Sequence, residues 1–222
     1  MNRTARFLIG IGCLLIAAAL GLTAYNLADE ARAAKRADEA LSQLAIAMGS
    51  SRDASAITGN SASAVPPPFT DQVTPSAADT LPADSPNDEP EMPVIQLDGQ
   101  EYAGILSIPS LSLELPVLRN WSMAALKNAP CCYAGSLYQN NLVIAGHNYK
   151  GHFGKLSDLQ IGDSILFTDA LGQRFGYEVV ELESLPASAV EAMTAGDWDF
   201  TLFTCTVGGR SRLTVRCVLT ES

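Results

Sequence analysis

Only two histidines occur in the 222 residues, His147 and His152. Any proton transfer by imidazole therefore falls to one of two positions. Cysteine is also sparse, at positions 13, 131, 132, 205 and 217. An odd count without regular spacing excludes a disulfide framework. The lack of any CxxC pair argues against a structural zinc site. Cys131 and Cys132 are adjacent, a spacing that strains a mutual bridge. Basic charge is short as well: 14 Lys and Arg stand against 24 Asp and Glu, a net charge of −10. Nucleic-acid binding needs a basic surface, so no nucleic-acid partner is expected. Large apolar side chains are almost missing from residues 49–92, where one arginine faces seven acids. No internal repeat of about 20–50 residues is visible.

What the chain does have begins with an apolar run. Phe7–Leu22 carries no charge, Arg3 and Arg6 precede it, and Thr23–Ala28 extends it weakly. Counted to Ala28, it reaches the ~20 residues a helix needs to cross a bilayer. Positive charge ahead of it favours a cytoplasmic N-terminus and an extracellular remainder. A cleaved signal peptide is the competing reading, and it exports the same residues. Residues 1–28 are thus expected to form a cytoplasmic N-terminus and transmembrane anchor. Residues 29–48 (DEARAAKRADEALSQLAIAM) hold no Gly or Pro and predict a helical stalk. Their apolar side chains are mostly small and no heptad is sustained, so little packing is expected. Residues 49–92, rich in Ser, Ala, Asp, Thr and Pro, predict a disordered linker that gives the domain reach from the bilayer.

From Pro93 the pattern becomes short alternating segments separated by turn signals. The spacing predicts strands at Tyr102–Ile108, Leu113–Leu118, Asn141–Ala145, Ser164–Thr168, Phe175–Leu182, Thr201–Cys205 and Leu213–Leu219. Gly162-Asp163 and Leu171-Gly172 read as turns. Short helices fit Met123–Asn128, Lys155–Gln160 and Ser188–Met193, the last with Ser188 and Glu191 at capping-box spacing. The expected fold of residues 93–222 is mainly β: a closed or nearly closed barrel of about seven to eight strands with short helices.

Chemistry concentrates where the chain is least repetitive. Cys205 ends the alternating segment Thr201-Leu-Phe-Thr-Cys205, next to a loop. There a thiol gains access and backbone donors, although a free cysteine is more often a small buried hydrophobe. After Gly208-Gly209 comes Arg212-Leu-Thr-Val-Arg216-Cys217-Val-Leu219. Leu213, Val215, Cys217 and Leu219 share its apolar face; Arg212, Thr214 and Arg216 face the other way. In a hairpin, Arg212 is the arginine nearest Cys205, placed to stabilise a thiolate or an oxyanion. Spacing alone leaves a plain solubilising role open for both arginines. A cysteine nucleophile also needs a proton partner. His147 follows the buried-type strand ending Ala145-Gly146, a strand-to-loop exit of the kind that often carries catalytic groups. His152, in the following loop, reads as a solvated or loop-packing residue.

These segments resemble the sortases, the membrane-anchored cysteine transpeptidases of Gram-positive bacterial surfaces. Thr201-Leu-Phe-Thr-Cys205 matches the TLxTC motif, Arg212-Leu-Thr-Val-Arg216 is similar to the strand carrying the family's arginine, and Ala145-Gly-His147 matches its histidine motif. His152-Phe-Gly-Lys-Leu-Ser-Asp-Leu-Gln-Ile-Gly-Asp163 resembles the segment that follows. The resemblance covers roughly residues 101–220. The pair Asn148-Tyr149 departs from many members, and no acidic-aromatic lid motif precedes the barrel.

The resemblance implies that Cys205 attacks an LPxTG-like sorting signal and forms a thioacyl-enzyme. His147 would act as acid and then base, Arg212 would hold the substrate or oxyanion, and Thr204 would contact the substrate. No cofactor or metal is implied. The implied partners are surface or pilin proteins bearing sorting signals, and an amine acceptor such as a lipid-linked peptidoglycan precursor or a pilin lysine. A secreted Cys–His peptidase without transfer and a non-catalytic tethered binding domain are the other expectations the residues allow.

Overall fold

The computed structural model describes residues 3–57, 91–206 and 208–221. A long helix, α1 (Arg3–Ile57), comes first. Strands β1 (Ile95–Leu97), β2 (Gln100–Ile108), β3 (Leu113–Leu118), β4 (Cys131–Ala134) and β5 (Leu142–Gly146) follow. Then come β6 (Ser164–Asp169), β7 (Arg174–Pro186), the short helix α2 (Val190–Thr194), β8 (Phe200–Cys205) and β9 (Ser211–Glu221). The sheet order is β1-β2-β3-β4-β5-β8-β9-β7-β6, and a further β2–β6 pairing closes it. Strands β2 to β9 therefore form an eight-stranded barrel, a solution that removes exposed strand edges. β1 pairs with the start of β2, ahead of the β2–β6 contact.

Closure depends on a close approach at Gly104. A Cβ there would lie 2.1 Å from the Thr168 carbonyl oxygen and 2.8 Å from the Phe167 ring. Only glycine lets β2 come that near β6. A register shift between Tyr102 and Gly104 turns the strand at the same point.

Alternation along the strands sorts apolar side chains into two clusters. Leu106, Leu142, Ile144, Phe200 and Leu202 point into the barrel, where they meet Phe153 and Tyr177. Their sequence neighbours Ile105, Val143, Ala145 and Phe203 join a second cluster on the other face. This explains why β5 is buried at all five positions. A strand covered on both faces reads as a continuous apolar run.

The second cluster is covered in part by α1. Ala33, Ala37, Leu44 and Met48 form a buried stripe along the helix. The spacing of four, seven and four residues keeps them on one face. Sequence composition predicts little packing here, and the structure corrects that expectation. Small side chains are the reason the helix fits. A Cβ on Gly151 would meet Ala34 Cβ at 3.0 Å, so the two backbones run close together. Full burial of Leu44 adds about 1.5–3 kcal/mol. The apolar part of α1 nearer the N-terminus, with mean hydropathy 1.8, is not buried by the rest of the chain. Leu14, Leu15, Ile16, Leu20 and Leu22 are all exposed. The helix also continues past Gly49 to Ile57, into the stretch read as linker. The remainder of that stretch, residues 58–90, lies outside the described residues.

Other differences are local. β1 and β4 were not expected. β1 belongs to a hairpin whose turn, Asp98-Gly99, has φ of 49° and 73°, the left-handed pair that Asp-Gly favours. The helices expected near 123–128 and 155–160 are single 3-10 turns, Ala125–Lys127 and Leu156–Asp158. The expected capping box at Ser188 does not form. α2 starts at Val190, two residues after the expected Ser188, with Ala189 at its N-cap and no side-chain cap bond. Its Ala192 and Met193 carbonyls accept hydrogen bonds from the Arg216 guanidinium.

Candidate active site

The β8–β9 hairpin places Cys205 directly opposite Arg212. β8 is buried through Thr204, and Cys205 is the first position to emerge toward solvent. The turn is held by Thr206, whose N–H donates to the Ser211 carbonyl at 3.0 Å, and by the Gly209 N–H donating to the Thr206 carbonyl at 2.8 Å. The Arg212 guanidinium donates to the Gly209 and Ser211 carbonyls, each at 3.2 Å. Arg210 is exposed in the turn and Arg216 is buried further along β9. Of the three arginines, Arg212 alone shares a recess with Cys205.

His147 arrives by a different route. β5 and β8 are parallel neighbours, with Gly146 paired to Thr204. The next residue on each strand is His147 and Cys205, so both leave the sheet at the same end. Thr204 locks this arrangement: its buried hydroxyl donates to the Gly146 carbonyl at 2.8 Å, between residues 58 positions apart. That donor is taken up within the barrel, so the Thr204 hydroxyl does not donate into the groove. Gly146 allows the histidine loop to fold back, because a Cβ there would sit 2.4 Å from the Phe153 ring. The loop closes with the Phe153 N–H donating to the His147 carbonyl at 2.9 Å.

Cys205, His147 and Arg212 line one groove. Its walls are largely apolar: Tyr133, Phe203, Leu126 and Met193, with Trp121 and Val190 half-exposed at the mouth. Trp121, Tyr133 and Phe203 form an edge-to-face ladder with centroid spacings of 5.5 and 5.1 Å. Cys205 also borders a second recess with Asn148, Ser157 and Thr204.

Electrostatics separate the two histidines. Burial, reinforced by the Lys127 cation, pulls the His147 pKa below its ordinary value, while Asp29 opposes the shift. His147 Nε2 is buried and has no hydrogen-bond partner among the described residues. His152 is fully buried rather than solvated. Burial, with the neighbouring His147 second, pushes it down to about 4. It is a neutral packing residue at ordinary pH. Burial pushes the Cys131, Cys132 and Cys217 thiols up to about 12. They are free, buried and poor nucleophiles. No cluster of three or more His, Cys, Asp or Glu side chains suited to a metal occurs among the described residues.

A family model for the sortase domain matches residues 106–220, a span that contains all three groove residues. The chain belongs to the sortase family. Sortase A of Bacillus anthracis is 31% identical over 127 residues, 53% of this chain, and the chain spans 60% of that relative's length. Among solved structures, sortase C1 of Streptococcus agalactiae has a TM-score of 0.50 at 23% identity, covering 57% of this chain and 72% of that one. The sortase D5 transpeptidase of Clostridium perfringens has a TM-score of 0.49 at 23% identity, covering 54% of this chain and 79% of that one. The likeness to sortase C1 speaks for the fold.

Two residues of the sortase domain take places that the sequence did not assign them. Spacing alone leaves a solubilising role open for Arg216, yet it is buried. It pairs with Glu183 at 2.8 Å and donates to the carbonyls of Ala192 and Met193 and to the Thr201 hydroxyl. Arg216 thereby holds α2, which supplies Val190 and Met193 to the groove. A signal existed in the acid-rich strand Glu178, Glu181 and Glu183, whose partner is β9. Tyr149 is the second such residue. Its ring stacks on His147, with centroids 4.7 Å apart and planes at 22°.

Proposed function

We propose that this chain is a cysteine transpeptidase acting on LPxTG-like sorting signals. The observation that carries the reading is the convergence of Cys205, His147 and Arg212 in one apolar groove. The Cys205 thiolate attacks the carbonyl carbon of the scissile peptide bond. Arg212 donates to the oxyanion or the adjacent backbone carbonyl. His147, as imidazolium, gives its proton to the leaving amine as the C–N bond breaks. A thioacyl-enzyme remains. Neutral His147 then takes a proton from the incoming amine, which attacks the thioester and releases the thiolate. Sulfur, nitrogen and proton all return to their starting states, and no cofactor takes part.

The groove suits the Leu-Pro portion of such a signal, because its walls are aromatic and aliphatic. The acceptor is a primary amine, on a lipid-linked peptidoglycan precursor or a pilin lysine, and the donors are surface or pilin proteins. The helical run of mean hydropathy 1.8 serves as a membrane anchor in this reading, with the barrel outside the cell. The division into anchor (1–28), helical stalk (29–48), linker (49–92, which α1 enters as far as Ile57) and catalytic barrel (93–222) belongs to the same proposal.

The test incubates the full chain with a panel of sorting peptides, with and without an amine acceptor. Mass spectrometry then reads the protein and its products. A peptide adduct on Cys205 that disappears in Cys205→Ala, with amine-linked product, is expected. Cleavage without amine incorporation would mean a hydrolase. No adduct with any peptide would leave a tethered binding domain.

A further inference from the structure

The segment of α1 just beyond the apolar run reaches the histidine loop. Asp29 accepts a hydrogen bond from the Tyr149 hydroxyl at 3.1 Å. Glu30 accepts one from the backbone N–H of Lys150. Ala34 lies against Gly151. The two hydrogen bonds each join residues 120 positions apart, and all three contacts bear on the stretch between His147 and Phe153.

Tyr149 links the helix to the imidazole. Its ring stacks on His147, and its other neighbour is the buried His152, 5.7 Å away. Its carbonyl accepts from the N–H groups of His152 and Gly154, both at 2.9 Å, so its backbone is fixed within the loop. What remains free is rotation of the ring, and the hydroxyl at the far end is where Asp29 takes hold. An imidazole that must give and then take a proton needs a constant direction for its nitrogens.

We propose that Tyr149 is a positioning residue for His147, and that Asp29 on α1 holds Tyr149 in place, so that the helix after the apolar run completes the active site. The helix is then more than a tether. Its docking sets the orientation of the proton-transfer group, and undocking loosens it. The proposal rests on the assignment of His147 as the acid–base residue.

The groups around the imidazole define what a titration reads. Asp29 and Glu30 lie on α1, Lys127 on the 3-10 turn before β4, and Cys205 and Arg212 on β8 and β9; Tyr149 and His152 share the loop. Asp29 opposes the depression of the His147 pKa, so its removal lowers the midpoint further.

The experiment uses the full chain in detergent micelles or nanodiscs, with Asp29→Ala, Tyr149→Phe, the double variant, Tyr149→Ala and Arg36→Ala. Arg36 makes a separate helix–barrel contact, to Asn128 at 3.0 Å. Three readouts are taken: the His147 titration by NMR, the pH dependence of Cys205 alkylation by iodoacetamide, and kcat and KM on a sorting peptide. Because the chain has two histidines, the two imidazoles are resolved individually. Asp29→Ala and Tyr149→Phe should each lower kcat about threefold to tenfold with little change in KM, and the double variant should lose no more than either alone. Tyr149→Ala should lose more than Tyr149→Phe. The His147 midpoint should fall in Asp29→Ala, and the alkylation profile should move with it. Additive losses, an unmoved midpoint, or equal losses in Arg36→Ala would overturn the proposal. If the wild-type chain turns over no peptide, the proposed function fails, while the NMR and alkylation arms still decide this one.

Discussion

Arg216 and Glu183 form an ion pair at 2.8 Å on the outer face of the barrel, with the arginine side chain 3% exposed and the glutamate 28%. The guanidinium also satisfies two carbonyls at the end of α2 and the Thr201 hydroxyl. Trp198 lies over it, with the ring centroid 5.9 Å from Cζ. A helix of five residues cannot hold itself together in water, so this arginine is what keeps α2 folded against β8 and β9.

Arg216→Met should therefore destabilise the domain by about 2–4 kcal/mol, since it strands buried acceptors that no longer find a donor. Glu183 is partly exposed and can turn to water, which keeps the loss below that of a fully buried pair. Arg216→Lys should not restore stability, because one ammonium cannot span a carboxylate and two carbonyls as a planar fork does. Because α2 carries Val190 and Met193 into the groove, KM should rise more than kcat falls. Urea unfolding and peptide kinetics measure both. A loss under about 0.5 kcal/mol would remove Arg216 from this role.

The hairpin separates Arg212 from its neighbour Arg210 by position alone. Arg212 sits opposite Cys205 and lines the groove, while Arg210 is exposed in the turn. Arg212→Ala should cost on the order of a hundredfold to a thousandfold in kcat, the usual effect of losing one oxyanion donor. Arg210→Ala should stay within about twofold, in keeping with an exposed side chain away from the reacting atoms. Steady-state kinetics of the two variants, side by side, decide the matter. Comparable losses would mean that the turn, rather than the guanidinium opposite Cys205, binds the substrate.

His152 gives the domain an acid-sensitive component. Burial first, and His147 second, push its pKa down to about 4 from the ordinary 6.5. Between those values the unfolded chain binds a proton that the folded chain refuses. Stability from this source is complete above pH 6.5 and falls as the pH drops toward 4. The full loss is about 3 kcal/mol, reached below the folded pKa. Urea midpoints measured across this range should show the slope. In His152→Phe the slope should flatten, although the new ring needs room in a packed loop. An unchanged pH slope in that variant would assign the acid sensitivity to other groups.

Much of the barrel was legible because alternation is a local signal. β3, at Leu113–Leu118, has the bounds the sequence pattern predicts. β1 and β4 escaped because three- and four-residue strands carry too few alternations to stand out. Asp98-Gly99 was nevertheless a readable turn signal. The 3-10 turns escaped for a related reason: their residues have helical propensity, but a single turn ends before it can show periodicity.

The candidate site was legible in its residue types more than in its geometry. The hairpin partners Cys205 and Arg212 are seven positions apart, so a two-strand register nearly specifies their meeting. His147 is another matter. Its place beside Cys205 depends on the parallel pairing of β5 with β8, with two strands and a helix intervening in the chain. Composition and motif spacing singled it out, and only the sheet order brings it there.

The sequence by itself determined the alternating strands, the apolar N-terminal run, and which cysteine, histidine and arginine carry the family's motifs. The strands and the run follow from propensity and periodicity over a few residues, whereas the three site residues follow from their resemblance to the sortase motifs. The tertiary structure decided that Arg216 is buried, that His152 is neutral packing, and that a helix of small side chains docks beside the histidine loop. Each of these depends on what covers the outer face of the barrel. A strand's alternation says that two faces differ, but not whether the second face meets water, α2 or α1.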